Sequence, residues 1–185
     1  FEKLNGRNPS EEEITEFTKK SREKLAFYAK NTAVQFIVMI TLTYPAEFPN
    51  CGKIVKQQLN RFLCWLRARL KSVEYLWFLE FQRRGAPHFH LLIDQKITYR
   101  DVAWAWYNAV DSQDLKHLSA GTRVERIRKA DGAARYACKY ALKMYQKDVP
   151  TQYQNVGRLW GFSKGVKPEP MYYQEEIARQ GILDL

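Results

Sequence analysis

The sequence predicts an α+β fold, an antiparallel sheet packed against helices. Three observations carry this reading. Element patterns alternate as helix, strand, helix, two strands, helix, strand, helix. The two central strands are joined by a turn too short for a crossover, so they pair as an antiparallel hairpin. The longer separations hold helical patterns, which cover a sheet from its faces. At 185 residues the chain suits one domain, and its 45% apolar content supplies a core, which argues against wholesale disorder.

The elements follow in order. Ser10-Glu11-Glu12-Glu13 reads as a capping box, and helical spacing continues to Lys30 with Ile14, Phe17, Leu25 and Tyr28 on one face. Ala33 to Tyr44 is apolar and β-branched and stops at Tyr44-Pro45, so it reads as a strand. A loop with Pro45, Pro49 and Gly52 leads into a helix over Ile54 to Leu70, with Leu59, Phe62, Leu63 and Leu66 inward. Glu74 to Phe81 and His88 to Ile93 are strands joined by a turn around Arg83-Arg84-Gly85-Ala86. Pro87 opens the second strand, where its missing N–H does least harm. Thr98 and Asp101 cap a helix containing Trp104, Trp106 and Tyr107. The two tryptophans cannot share one helix face, so one is expected to be exposed. Arg123 to Arg128 reads as a short strand, and Asp131 as the N-cap of a helix running to Lys147. From Pro150 onward, Gly157, Gly161, Gly165, Pro168 and Pro170 make a loop-rich tail, with a last helix after Tyr172.

Thirty Lys and Arg face twenty Asp and Glu, a formal net charge of +10. That points to a polyanionic partner, a nucleic acid or an anionic membrane surface. The charge is uneven. Residues 53–71 hold six bases and no acid, residues 123–147 carry a net +6, and residues 1–30 only +1. No basic amphipathic helix with a broad apolar face is visible, which sets the membrane aside. The best apolar run, Phe36 to Leu42, is far short of the ~20 residues a span needs. Cys51, Cys64 and Cys138 are odd in number and far apart, without C-x-x-C. This suggests a reduced, intracellular setting rather than a disulfide framework or zinc cluster, with Cys64 a small core residue. No G-x-x-x-x-G-K-[ST] occurs, so no P-loop helicase is expected here.

The sharpest local feature is Pro87-His88-Phe89-His90-Leu91-Leu92. Side chains alternate along a strand, so His88 and His90 share a face. If the hairpin turns near Arg84, Glu80 lies opposite His88, and cross-strand neighbours sit about 4.5–5.5 Å apart at Cβ. Two imidazoles and a carboxylate on one face would hold a divalent ion, with Mg²⁺ or Mn²⁺ suited to phosphate oxygens and Zn²⁺ also compatible. The competing reading is two histidines on a half-buried strand that bind nothing. His117 is expected at the surface.

Arg135 to Lys143 repeats Tyr-x-x-Lys. On a helix Tyr136 and Tyr140 are one turn apart on one face, and Lys139 and Lys143 each follow a tyrosine at i+3. A phenol with pKa ~10 is a poor nucleophile until a cation favours the phenolate. Each lysine supplies such a charge. A tyrosine packed on a helix is the commoner case, but packing does not call for a lysine beside each ring.

Together these residues resemble the HUH endonucleases, the rolling-circle replication initiators of phages, plasmids and small DNA viruses. Ile40-Thr41-Leu42-Thr43-Tyr44-Pro45 resembles their first motif, Glu80 with His88-Phe89-His90 the metal-binding second, and Tyr136-x-x-Lys139-Tyr140-x-x-Lys143 the nucleophile motif of two-tyrosine phage initiators. Gly157 to Gly161 is similar to a segment that follows the tyrosine helix in such proteins. The resemblance implies a central antiparallel sheet of the ferredoxin-like split βαβ type with the histidine strand in its middle. It implies a metal-dependent nickase and strand-transferase of single-stranded origin DNA, working through a 5′-phosphotyrosine. Tyr136 and Tyr140 would be nucleophiles assisted by Lys139 and Lys143, and the metal, Mg²⁺ or Mn²⁺, would sit on His88, His90 and Glu80. Thr41, Thr43, Arg83, Arg84, Arg135, Arg158 and Trp160 would contact DNA. Residues 1–185 would form one nicking domain, with 1–30 a helical extension, 150–185 a loop-rich end, and a separate helicase and polymerase acting in the cytoplasm of a bacterial host. A relaxase or single-strand transposase shares the chemistry. A non-catalytic single-stranded nucleic-acid binder is the alternative of another class.

Overall fold

The computed structural model describes residues 14–128, 132, 136 and 148–168. Among these, the strands are β1 (Val38–Thr43), β2 (Tyr75–Phe81), β3 (Pro87–Ile93), β4 (Thr122–Arg126) and β5 (Trp160–Phe162). They form one sheet in the order β4-β1-β3-β2-β5. Every pairing is antiparallel. The helices are α1 (Lys19–Asn31), α2 (Gly52–Arg69), α3 (Tyr99–Ala109) and the single-turn α4 (His117–Ala120). The fold is α+β, as the alternation of elements requires.

The β2–β3 hairpin turns at Gly85, whose φ of +81° suits a residue without Cβ. Gly85 N–H donates to the Gln82 carbonyl at 2.8 Å. The turn sets the register, so Glu80 faces His88 and Phe78 faces His90. β3 therefore lies in the middle, with β1 on its other side placing Thr41 opposite His90 and Thr43 opposite His88.

The two sheet faces have different roles. One carries Leu42, Leu79, Phe89 and Leu91, all at or near zero exposure. α2 and α3 pack here through Leu59, Phe62, Leu66 and Trp106, and Phe62 and Phe89 meet the Trp106 indole edge-on at 6.0 and 6.2 Å. The α2 residues predicted to face inward do so. Of the two α3 tryptophans, Trp106 is buried and Trp104 exposed. The other face carries Thr41, Thr43, His88, His90, Glu80 and Phe78, with Trp160 of β5 opposite Phe78.

Several boundaries differ from expectation. β1 begins at Val38 because its partner β3 ends at Ile93, leaving residues upstream of Ile37 without a neighbouring strand. α1 begins at Lys19, with the Thr18 hydroxyl accepting from Ser21 N–H at 3.2 Å. Ile14 to Thr18 is not helical: Ile14 N–H donates to the Gln154 carbonyl at 2.7 Å and Glu16 bridges Asp148. These tertiary bonds override the local helical pattern, while Ser10 to Glu13 lies outside the described residues. The region from Pro150 contributes a strand, β5, where only loop was expected. Cys64 is exposed on α2 rather than part of the core. The helix expected from Asp131 to Lys147 is described only at Gly132 and Tyr136, both helical.

Candidate active site

The Thr-Leu-Thr end of β1 and the His-Phe-His segment of β3 interlock. Thr41 Oγ1 lies 3.2 Å from His90 Nδ1, and Thr43 Oγ1 lies 3.1 Å from His88 Nδ1. His90 Nε2 is 3.2 Å from Glu80 Oε2. The two imidazoles meet edge to face at 4.6 Å, and Phe78 stacks on His90 at 5.0 Å. Gln82 Nε2 lies 3.4 Å from His88 Nδ1. His90 is almost fully buried, His88 half-buried. One threonine hydroxyl thus fixes each ring through Nδ1, which directs both Nε2 atoms into the space beside Glu80.

These residues fit a divalent ion by chemistry. A ligating imidazole commonly has its second nitrogen held by an oxygen, and Thr41 and Thr43 supply that pattern twice. With a carboxylate acceptor, His90 Nε2 carries the proton and Nδ1 accepts from Thr41. As a ligand, His90 would move that proton to Nδ1 and donate it to the same hydroxyl, which serves as donor or acceptor. Among the described residues no three His, Cys, Asp or Glu side chains are already drawn together as ligands around one point. Glu80 rests against His90 rather than standing apart from it, so ligation requires exchanging that hydrogen bond.

Sequence reasoning missed the support beneath Thr43. His117 is buried, not at the surface, and donates from Nε2 to the Thr43 carbonyl at 2.8 Å. Trp106 Nε1–H donates to the same carbonyl at 2.8 Å, and Thr43 N–H donates to the Gly121 carbonyl at 2.7 Å. Three bonds from α3, α4 and the turn after α4 thus hold the backbone whose side chain orients His88. His117 Nδ1 is buried without a partner among the described residues. A lone histidine in sequence carries no sign of this role, because its partner is a carbonyl 74 residues away.

The expected DNA contacts separate by place. Arg83 is exposed at the hairpin tip. The Arg84 guanidinium is committed to protein carbonyls, donating to Tyr44 O at 2.7 Å and Pro45 O at 2.8 Å, and it lies 5.0 Å from the Phe48 ring. It pins the loop after β1 to the hairpin. Arg158 is exposed, and its carbonyl accepts from the Lys56 ammonium. Trp160 is half-buried, donates to Ser21 Oγ at 2.9 Å and meets Tyr28 edge-on at 5.4 Å. Arg158 and Trp160 line a cleft of about 830 Å³ with Lys20 and Lys24 of α1. Tyr136 is helical and packs partly buried against the core. Arg135, Lys139, Tyr140 and Lys143 lie outside the described residues.

An antiparallel sheet with a threonine-supported His-x-His strand opposite a glutamate defines a class of protein built around a polar pocket on one sheet face. The chain belongs to the replication-associated protein family of the ORF2 type, whose sequence model matches residues 37–145. No curated protein matches it in a sequence comparison. Among solved structures it is similar to the hypothetical protein ORF119 of Sulfolobus islandicus rod-shaped virus 1, at 17% identity and a TM-score of 0.41 over 65% of this chain and 90% of that one. It is also similar to the N-terminal nuclease domain of minute virus of mice non-structural protein-1, at 10% identity and a TM-score of 0.30 over 72% and 79%.

Proposed function

We propose that this replication-associated protein is a metal-dependent endonuclease and strand-transferase that nicks single-stranded DNA at a replication origin. The observation that carries the reading is the paired Thr–His arrangement beside Glu80, in a chain whose family is replication-associated. His88, His90 and Glu80 would hold Mg²⁺ or Mn²⁺, which when bound polarises a phosphodiester. Tyr136 or Tyr140 supplies the attacking oxygen. The phenolic oxygen forms a bond to phosphorus, the bond to the 3′ oxygen breaks, and the phenolic proton ends on that oxygen. The products are a 5′-phosphotyrosine and a free 3′-OH, which conserve the diester's energy for resealing. Lys139 and Lys143 favour the phenolates, while Arg135, Arg158 and Arg83 meet backbone phosphates. Thr41 and Thr43 act on the DNA through the histidines they hold. A separate helicase and polymerase would extend the 3′ end.

The test is incubation of the protein with single-stranded origin DNA and Mn²⁺, read on a denaturing gel. A covalent adduct is expected, abolished by EDTA and by the Tyr136→Phe, Tyr140→Phe double variant. Adduct formation that survives both tyrosine changes would overturn the nucleophile assignment. Salt-sensitive binding with no cleavage under any metal would favour the non-catalytic binder.

A further inference from the structure

The helices on the opposite side of the sheet from the histidines form a groove that the proposed chemistry does not use. It is a cavity of about 480 Å³ between α2, the start of α3 and α4, lined by Trp65, Arg69, Tyr99, Arg100, Trp104 and Leu118. Trp104 is 58% exposed and Tyr99 40%. Trp104 lies parallel to Tyr107, with 3° between the ring planes and 5.8 Å between centroids. Both rings sit on one side of α3, one turn apart, while Trp106 takes the buried side.

The surroundings are basic. α2 contains no acidic residue, and Lys53, Arg61, Arg67 and Arg69 are exposed along it, with Lys71 just beyond its end. Arg69 answers Asp101 at 3.3 Å, and Arg61 answers Asp111 at 2.7 Å. Among the described residues Asp101 is the one acid lining the groove, so Arg100 and Lys71 leave a positive balance there. A flat aromatic ring open to solvent and rimmed by cations suits an unpaired base with its flanking phosphates. A second copy of the chain would bring one basic α2 face against another, and an acidic protein surface would meet the rim but leave the aromatic plane unmatched.

We propose that this groove is a second binding site for single-stranded nucleic acid, with a base on Trp104 and adjoining phosphates on Arg69 and Arg100. It stands apart from the histidine face and does not depend on the tyrosine chemistry.

The experiment measures the affinity of labelled oligo-dT by fluorescence anisotropy for the intact protein, Trp104→Ala and Arg100→Glu. Thermal melting of each variant accompanies it. Trp104→Ala is expected to weaken binding by about 10-fold, the scale of one lost stacking contact. Arg100→Glu is expected to weaken binding and to lower the salt-dependence slope by about one to two. At saturating DNA, both variants should form the Mn²⁺-dependent adduct as the unaltered protein does. Affinity and salt slope unchanged in both variants would overturn the proposal. So would a change in sedimentation with Trp104→Ala at constant affinity, which would identify a self-association face. If no adduct forms even with the unaltered protein, the nuclease reading fails while the affinity comparison still decides the groove.

Discussion

Thr43 is the residue through which the site is aligned. Its hydroxyl holds His88 and its backbone is fixed by Trp106, His117 and Gly121. Replacing it with valine keeps the β-branched shape and removes only the hydroxyl. Thr43→Val is therefore expected to fold normally and to lose about 10–100-fold in metal affinity, the range for outer-shell partners, measured by Mn²⁺ titration. A different residue sets a pH effect. The Lys56 ammonium sits 4.2 Å from the Trp77 ring and donates to the Arg158 carbonyl. Burial, with Arg158 nearby, pulls its pKa down to about 7. In the unfolded chain the value is about 10.4. Between these limits the unfolded chain holds a proton that the folded one has released, so this contribution to stability rises as pH rises from 7 to 10. It is at its lowest below pH 7. Melting temperatures of the intact protein should rise relative to Lys56→Met across that window, and parallel profiles would show that Lys56 does not titrate there.

At the scale of elements, α4 is a single turn whose one buried residue is His117. A Cβ at Gly121 would lie 2.1 Å from His117 Cδ2, so the turn closes only over a glycine. Gly121→Ala is expected to expel the imidazole, lowering both stability and nicking, whereas His117→Gln keeps a donor for Thr43 and should retain more nicking than His117→Leu. Initial rates at saturating DNA check this ordering. The β2–β3 hairpin shows what sequence reveals best. Strand alternation, a four-residue turn and matching parity placed Glu80 opposite His88, because that geometry is local. The α2 core positions and the outward Trp104 were legible for the same reason, a period of 3.6. What escaped was long-range. Asn155 Oδ1 accepts from Gly52 N–H at 3.0 Å at the start of α2, Arg84 is consumed by the loop after β1, and α1 is shortened by bonds to residues near 150. None leaves a periodic trace, since each joins segments that meet only after folding. Loss of the Arg84 clamp in Arg84→Met should speed amide exchange over residues 44–48, leaving the sheet protected.

Across the whole molecule, Trp106 joins the two halves of the design. Its ring fills the space between α2 and the sheet, while its N–H secures the strand that carries the threonines. Trp106→Ala should cost about 3–5 kcal/mol, as large aromatic truncations in cores do, read by urea denaturation. No helix among the described residues is long and apolar enough to cross a membrane. The sheet has one further consequence. β5 covers the outer edge of β2, pairing Trp160 with Phe78 and Phe162 with Leu76, and Leu79 N–H donates to the Leu159 carbonyl at 2.7 Å. The family match ends at residue 145, before this strip begins. A chain cut at that boundary would keep every motif yet present the seven-residue strand Tyr75–Phe81 as an open, largely apolar rim. Such a rim recruits strands from other molecules, so the shortest fragment that stays monomeric must extend past Phe162.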